Sequence, residues 1–229
     1  MSIFAIGDLH LSFTTDKPMD IYGPDWTHHT ERLKDEWCSE IGQDDTTIIA
    51  GDISWALRFA DAIPDIDWIH ELPGRKVFIR GNHDLWWSGI SKLNSLYDDI
   101  YFIQNTHYEV SGVGICGSRG WEDKDDPDFT ADDEKIYRRE LIRMEMSLKS
   151  AVNAGLDDII VAIHYPPAPH EKETEFTTLF EKYGVKKVVY GHLHGSEGYK
   201  KGIKGYMNGV EYMLVSLDYL SCKPLKVWE

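Results

Sequence analysis

The stretch IFAIGDLH, residues 3–10, is a short apolar run that ends in a glycine and two side chains that commonly bind metals, Asp8 and His10. Short runs rich in Ile, Val and aromatic residues favour buried strands over helices. Side chains two positions apart in an extended chain point to the same side, so Asp8 and His10 can face one ion. The same pattern returns in KVVYGHLH, residues 187–194.

Three further apolar runs end in a similar way. The runs at residues 47–50, 76–80 and 158–163 are each followed by Asp, Asn or His, and two of them have a glycine directly before that residue. Ligands of open α/β sheets bind beyond the carboxyl ends of the strands, so parallel neighbours would bring all five ends to one crevice. The candidate metal ligands collected in this way are Asp8, His10, Asp52, Asn82, His164, His192 and His194.

Each of these residues also has a plainer explanation. A single Gly-Asp after a strand is usually a turn, and a single histidine after an apolar run is more often a hydrogen-bonded core residue. Five such strand ends in order make chance a minor explanation. Carboxylate, imidazole and amide donors without a thiolate suit Mn, Fe, Zn, Ni or Co. The set is too large for one closed tetrahedral site, whereas two ions that share a carboxylate would use all of it.

Two stretches between the runs have the spacing of helices. Apolar residues recur every three to five positions at residues 30–41 and 131–154, and Gly155 stands where the second helix would end. Strands that alternate with helices predict an α/β fold with parallel strands.

The remaining stretches predict turns and loops. Asn208-Gly209 lies between two apolar runs and predicts a C-terminal β-hairpin. Residues 113–117 are expected to pair with residues 108–110, and the acidic stretch 122–134 predicts a long surface loop. We find no internal repeat and expect residues 1–229 to form a single domain.

Composition narrows the class of protein. The 229-residue chain has a formal net charge of −15 and scattered lysines, whereas proteins that neutralise nucleic-acid phosphates normally show a basic patch. The three cysteines have no C-x-x-C spacing, which favours buried thiols in a reducing compartment. No signal peptide is recognised, and no apolar run approaches the ~20 residues of a membrane-spanning helix. We therefore expect a cytoplasmic protein without a membrane span, for which nucleic acid is a poor candidate as a partner.

The ordered set D-x-H, G-D, G-N-H-D, H and G-H-x-H, which runs from Gly7 to His194, resembles the calcineurin-like metallophosphoesterase superfamily. The resemblance implies a four-layer α/β/β/α sandwich of two mixed sheets flanked by helices, to which the C-terminal hairpin is added. It also implies that a phosphate mono- or diester is hydrolysed by a hydroxide that bridges two metal ions.

The resemblance further assigns roles to single residues. The first metal would be bound by Asp8, His10 and His194. The second would be bound by Asn82, His164 and His192, and Asp52 would bridge the two ions. His83 would protonate the leaving oxygen, and Asp84 would orient His83 through the other ring nitrogen.

Substrate preference is predicted from two stretches that are compared with branches of the family and from side chains that could line the pocket. GDISW, residues 51–55, lacks the Asp-Arg-Gly continuation of the serine/threonine protein phosphatases. HYPP, residues 164–167, is similar to the H-H-P-P stretch of the cyclic-nucleotide-type phosphodiesterases, so phosphodiesters are slightly favoured. Trp55 and Trp86 could form walls of the pocket or belong to the core. Arg119 could contact a phosphate oxygen or form a surface salt bridge.

Two other functions are compatible with the same residues. A non-catalytic scaffold of this fold usually loses histidines from the metal set, and here the set is complete. A metallonuclease would use the same site, but the net charge and the lack of a basic groove argue against it. Residues 121–133 could close over the site as a lid or remain a solvated acidic surface.

Overall fold

The computed structural model describes residues 1–170 and 172–229, and its strands form two sheets. The strands are β1 Ile3–Ile6, β2 Thr46–Ile49, β3 Arg75–Phe78, β4 Ile100–Phe102, β5 His107–Val110, β6 Val113–Ser118, β7 Asp158–Ile163, β8 Lys187–Tyr190, β9 Gly205–Met207, β10 Val210–Leu214 and β11 Leu225–Trp228. The helices are α1 His29–Glu40, α2 Phe59–His70, α3 Ile90–Leu93, α4 Ala131–Asn153, α5 Glu175–Lys182 and α6 Gly195–Gly198, and two 3-10 turns, Met19–Tyr22 and Pro24–Trp26, precede α1.

Both sheets are mixed. The first sheet has the order β11-β1-β2-β3-β4, and the second has the order β5-β6-β7-β8-β10-β9. Strands β1 to β4 are parallel, as are β6, β7, β8 and β10, while β11, β5 and β9 pair antiparallel at the edges. The carboxyl ends of the parallel strands within each sheet therefore lie at one edge, as the sequence predicts.

Buried side chains form three cores, which separate four layers. In β1, Phe4 and Ile6 pack towards the helices with Leu33 of α1, whereas Ile3 and Ala5 face the second sheet. Alternate residues of one strand thus enter two different cores, which explains why the whole run is apolar. A third core lies between the second sheet and α4 and α5. The predicted α/β/β/α sandwich is confirmed.

Both predicted hairpins are present. Asn208 and Gly209, with φ of 50° and 83°, connect β9 to β10. Ser111 and Gly112, with φ of 50° and 80°, connect β5 to β6. Two successive left-handed residues match the twist of the flanking strands in a two-residue hairpin turn. Strand β10 also pairs in parallel with β8, so the C-terminal hairpin extends the second sheet.

The start of α4 corrects one boundary. Residues 122–134 were expected to form a loop, but the last four of them are the first turn of α4. The Thr130 side chain accepts a hydrogen bond from the Asp133 backbone N–H, and Asp133 accepts one from the Thr130 backbone N–H. This capping box, with acidic residues near the positive end of the helix dipole, begins the helix inside an acidic stretch. Gly155, with φ of 83°, follows its C-cap residue as predicted.

The backbone joins the two sheets just beyond β1. The Gly7 N–H donates to Val215 O over 2.7 Å, and the Leu217 N–H donates to Gly7 O over 3.0 Å. The loop after β1 is therefore fixed to the loop after β10. Among the described residues, no helix has both the length and the apolarity needed to cross a bilayer.

Candidate metal centre

The seven predicted ligands lie at the same edge of the sandwich. The first sheet contributes Asp8, His10, Asp52 and Asn82, and the second contributes His164, His192 and His194. Two groups have ligand atoms that all lie within 4.8 Å of one another. One group consists of Asp8, His10 and His194, and the other of Asp8, Asp52 and His164.

Four of these residues have an unusual backbone conformation. Asp8, His10, Asp52 and His192 have φ between 47° and 72°, in the left-handed region that side chains other than glycine seldom adopt. Such residues cluster at functional sites, where the surrounding contacts hold them in place. Here the His192 N–H is 3.0 Å from each carboxylate oxygen of Asp8, and the His10 N–H donates to Asp52 O over 3.0 Å.

Two of the glycines that precede candidate ligands are required by close approach. A Cβ on Gly81 would lie 2.1 Å from Asp52 Oδ1, and a Cβ on Gly191 would lie 2.4 Å from Asp8 Oδ2. Either methyl group would push a carboxylate out of the cluster. Glycine at both positions therefore allows the loops to approach closely.

Gly81→Ala is therefore expected to destabilise the protein by about 1–3 kcal/mol, because the new Cβ has nowhere to go without moving Asp52. The matched control is Gly89→Ala, where no atom lies within 4 Å of the added Cβ and φ is −59°. Urea unfolding of both variants measures the difference. Equal midpoints would show that the Gly81 loop adapts and that the close approach is not a constraint.

The imidazoles of His164 and His194 are oriented by their Nδ1 atoms. His164 Nδ1 donates to Ala50 O over 2.9 Å, and His194 Nδ1 donates to Asp218 Oδ1 over 3.0 Å. In both rings the Nε2 atom is left to face the cluster, 3.4 Å from Asp52 Oδ2 and 3.8 Å from Asp8 Oδ1 respectively. A hydrogen bond that fixes one ring nitrogen and turns the other towards the cluster is the usual arrangement of metal-binding histidines.

Asn82 brings a third group together. Its Oδ1 lies 2.7 Å from His164 Nε2 and 3.0 Å from His192 Nδ1. These three atoms come from the loops after β3, β7 and β8, so they connect the two sheets.

The pKa values follow from burial and from the two carboxylates. Burial lowers the pKa of His10 and of His192 to about 3, so both rings keep a free lone pair at neutral pH. Burial opposes a charge on His164, but Asp52 and Asp8 raise its pKa to about 9. Burial also opposes ionisation of Asp52, yet His164 and His10 hold the pKa of that carboxyl well below its usual range. A cation would have to displace the proton on His164.

The structure places His83 at the site but corrects the role of Asp84. His83 is 43% exposed, and its Nε2 lies 4.0 Å from Asp52 Oδ2. Asp84 is buried, and its carboxylate accepts from Ile53 N–H (2.9 Å), Ser54 N–H, Trp86 Nε1–H and Gly81 N–H. None of these donors is the His83 ring, so Asp84 does not orient that ring. It ties the loop after β2 to the loop after β3 instead.

Asp84→Ala is expected to lower the free energy of unfolding by roughly 3 kcal/mol or more, because it leaves four donors without their acceptor and each costs about 1–3 kcal/mol. The loss exceeds the gain from removing a buried carboxylate, whose pKa burial raises to about 6. Urea unfolding is the measurement, and Asp44→Ala, at an exposed carboxylate before β2, is the control. A variant as stable as that control would contradict the tying role.

The ligand cluster opens into a cleft of about 570 Å³. Trp55 lines it, with its ring stacked on that of His10 (centroids 4.8 Å apart) and tilted against that of His83 (4.2 Å). The structure corrects the other two substrate-contact predictions. Trp86 is only 2% exposed and donates to Asp84, and Arg119 lines a separate cavity. Residues 121–125 line another cavity with residues 166–169, away from this cleft.

Two features of the cleft were missed from the sequence. Residues 19–26 cover one side of it, and Trp26 lies 5.4 Å from the ring of His194. Asp218 orients His194 and also accepts from Tyr199 Oη–H over 2.8 Å. The sequence pattern could have indicated Asp218, because it follows the apolar strand 210–214 by a few residues, much as the candidate ligands follow their strands.

Comparison with known proteins gives the family. A family model described as calcineurin-like phosphoesterase matches residues 1–196. Because the match covers most of the sequence, the chain belongs to the calcineurin-like phosphoesterase family.

Individual relatives are more distant. The chain is 38% identical over 77 residues to the Gene 66 protein of Mycobacterium phage L5, which is 34% of this chain and 37% of the relative. It is 33% identical over 84 residues to the Gene 66 protein of Mycobacterium phage D29, which is 36% of this chain and 40% of the relative. The chain thus spans less than half the length of these curated relatives.

Two solved structures share the fold over almost the whole chain. A protein of unknown function from Aquifex aeolicus has a TM-score of 0.52 at 17% identity, with 98% of this chain and 94% of that chain covered. The phosphopantetheinyl hydrolase from Mycobacterium tuberculosis has a TM-score of 0.56 at 14% identity, with 99% and 95% covered.

Proposed function

We propose that the chain is a metal-dependent phosphohydrolase that uses two ions to cleave a phosphate mono- or diester, with diesters slightly favoured. The observation that carries the proposal is the meeting of two donor groups at Asp8 in one cleft of a calcineurin-like fold. The donors suit Mn, Fe, Zn, Ni or Co, because they combine carboxylate, imidazole and amide without thiolate.

The first ion is assigned to Asp8, His10 and His194, and the second to Asn82, His164 and His192. Asp52 is proposed to bridge them. Its Oδ2 lies 3.8 Å from His10 Nε2 and 3.4 Å from His164 Nε2, so one carboxylate oxygen faces both sets. That position supports the bridging role.

The residues present fit cations on two further grounds. His10 Nδ1 is buried and has no hydrogen-bond partner within residues 1–170 and 172–229, although buried polar atoms are normally paired. In the same part of the chain, the ion pairs of the buried carboxylates Asp8 and Asp52 involve only histidines. Only protons on these histidines offset the buried carboxylates, and two bound ions would provide that compensation in their place.

When bound, the two ions would acidify a water molecule and neutralise the phosphoryl oxygens. The chain's own residues would orient the reactants. Asp218 and the Ala50 carbonyl hold two imidazoles, and Trp55 packs against the faces of His10 and His83. Rigid positioning of this kind is a large part of enzymatic rate enhancement.

His83 is proposed to donate a proton to the leaving oxygen. It lines the cleft and is the exposed histidine nearest Asp52 that is not assigned to an ion. Burial, only partly offset by Asp52, holds the pKa of His83 below its ordinary value. The negative charge of a bound phosphoryl group would raise that pKa again and restore the proton.

The cleft wall favours an organic leaving group. Met19, Tyr22, Trp26 and Trp55 give an apolar surface directly beside the proposed ions. Pockets lined by aromatic side chains with a few polar groups bind small organic molecules well. A small phosphorylated compound with an apolar or planar portion is therefore the proposed substrate class.

The test compares kcat/KM for p-nitrophenyl phosphate and bis-p-nitrophenyl phosphate after loading with Mn, Fe, Ni or Zn, and with chelator as the metal-free control. A phosphopantetheinyl ester is included in the panel because the M. tuberculosis protein of similar fold is a phosphopantetheinyl hydrolase. We expect metal-dependent turnover, faster with the diester. Turnover of none of these by metal-loaded protein would favour a non-catalytic scaffold, and turnover of an oligonucleotide alone would favour a metallonuclease.

A further inference from the structure

A second polar cavity lies beside the metal cleft, at the same edge of the sheets. It has a volume of about 170 Å³ and is bounded by the loops that follow β3, β4 and β6 and by one side of α4. Its lining includes Arg80, Arg119, Arg139 and Arg143. None of its lining residues belongs to the metal cleft. The carboxyl ends of parallel strands are where α/β folds bind ligands.

Positive charge in this cavity exceeds the negative charge available to it. Three guanidinium groups approach one oxygen, Glu140 Oε1, from Arg143 Nη1 (2.8 Å), Arg139 Nε (3.5 Å) and Arg119 Nη2 (3.8 Å). The Glu140 side chain is only 2% exposed. Arg80 contributes a fourth cation, and its Nε donates to a neutral acceptor, the Asp84 carbonyl. Arginine does not lose its proton in proteins, so the cavity is lined by four positive charges and one carboxylate.

A buried donor in this cluster has no acceptor. Arg119 Nε is inaccessible to solvent and has no hydrogen-bond partner in the described part of the chain. The guanidinium plane is held in place by the indole of Trp121, whose centroid lies 4.4 Å away. A buried arginine donor left unpaired is unfavourable, so an oxygen that entered the cluster and reached it would remove that cost.

We propose that this cavity binds a compact oxyanion, namely inorganic phosphate or the phosphate group of a small metabolite. Arg119, Arg139 and Arg143 would donate to its oxygens, and Arg80 would close the opposite side. The volume holds several water molecules or one such anion. Guanidinium groups recognise phosphate through paired hydrogen bonds, and the net charge of −15 makes a local concentration of four arginines unusual for this chain.

The site adjoins the metal centre without being part of it. The Arg119 carbonyl accepts from the His164 N–H over 3.1 Å and from the Tyr165 N–H over 3.0 Å. Arg80 directly precedes the Gly81-Asn82 loop. An anion in the cavity would therefore brace two of the loops that carry candidate ligands. The inference does not depend on which ester, if any, the cleft hydrolyses.

The test measures the melting temperature of the metal-loaded protein against inorganic phosphate and sulfate, with NaCl at matched ionic strength. For wild type we expect a rise of about 5 °C at a hundredfold excess over Kd. The double variant Arg139→Gln/Arg143→Gln should lose most of this rise. The control variant is Arg138→Gln. Arg138 also lies on α4 but pairs with Glu134 and Glu175, so its replacement should not change the rise in melting temperature.

An anion bound only at the metal centre would stabilise all three proteins equally, and that result would overturn the proposal. A second measurement uses only the Zn-loaded wild type, so it gives a result even if the double variant does not fold. Phosphate should shift arginine Nε–H resonances in ¹⁵N spectra, and unchanged resonances would also overturn it. Repeating the titration with glycerol phosphate distinguishes the two anions. If the cavity accepts the phosphate group of a metabolite, glycerol phosphate should shift the arginine resonances as inorganic phosphate does. If it accepts only the free ion, glycerol phosphate should leave them unchanged.

Discussion

Asp52→Asn should reduce kcat/KM for the best aryl phosphate ester on the order of 10³-fold or more, since two-metal charge stabilisation is worth several kcal/mol. The amide keeps the shape of the side chain, and its oxygen can still accept from the His83 N–H, which donates to Asp52 Oδ1 over 2.8 Å in the wild type. It cannot supply the negative charge that faces both His10 and His164. Metal content by mass spectrometry and turnover should fall together.

The control for this variant is Asp25→Asn. Asp25 also lines the cleft, but it is exposed and lies outside both donor groups. Its replacement should leave metal content unchanged and alter turnover only slightly. If Asp52→Asn retained two ions and substantial turnover, the bridging assignment would be wrong, whereas equal losses in both variants would point to general charge effects in the cleft.

His83→Ala should lower kcat by ~10²-fold or more while both ions remain bound, because the variant removes a proton donor and no ligand. The loss should grow as the leaving group becomes poorer. An alkyl phosphate, whose leaving oxygen needs the proton, should be affected more than a p-nitrophenyl ester. Measurements of kcat for both esters, with metal content determined on the same samples, test this.

His28→Ala is a suitable control, since His28 is an exposed histidine directly before α1. A similar loss for both esters would argue that His83 binds the phosphoryl group and does not protonate the leaving oxygen. A variant that loses an ion would add His83 to the candidate ligands.

The sequence predicts the strands of this fold well because each apolar run enters two cores at once. The predicted runs 3–6, 158–163 and 187–190 coincide with β1, β7 and β8. Helix α2 was missed because Pro64 lies inside it and interrupts the expected pattern. A proline in a helix interior removes a hydrogen-bond donor, so sequence patterns normally read it as a break.

The placement of the candidate ligands was predictable where they follow strands directly, and the contacts made by distant segments were less predictable. Asp84 illustrates the difference, because the family resemblance implied a contact with the His83 ring, whereas the Asp84 carboxylate accepts from Ile53 and Trp86. Trp86 likewise lies close in sequence to a loop with candidate ligands but packs in the core, and Arg119, which follows β6, lines a second cavity. The direction in which a loop side chain points is set by the tertiary structure and cannot be read from its position in the sequence.

The left-handed backbone of Asp8, His10, Asp52 and His192 has an evolutionary consequence. Each such residue costs about 1–3 kcal/mol, so four of them use up a sizeable part of the 5–15 kcal/mol by which an ordinary domain is stable. Under the proposed function, selection for activity would therefore maintain a less stable scaffold. In a lineage released from that selection, glycine at His192 would relieve strain without removing the backbone N–H that Asp8 accepts from. Substitutions that remove the site would then raise the free energy of unfolding, so inactive descendants would keep the fold.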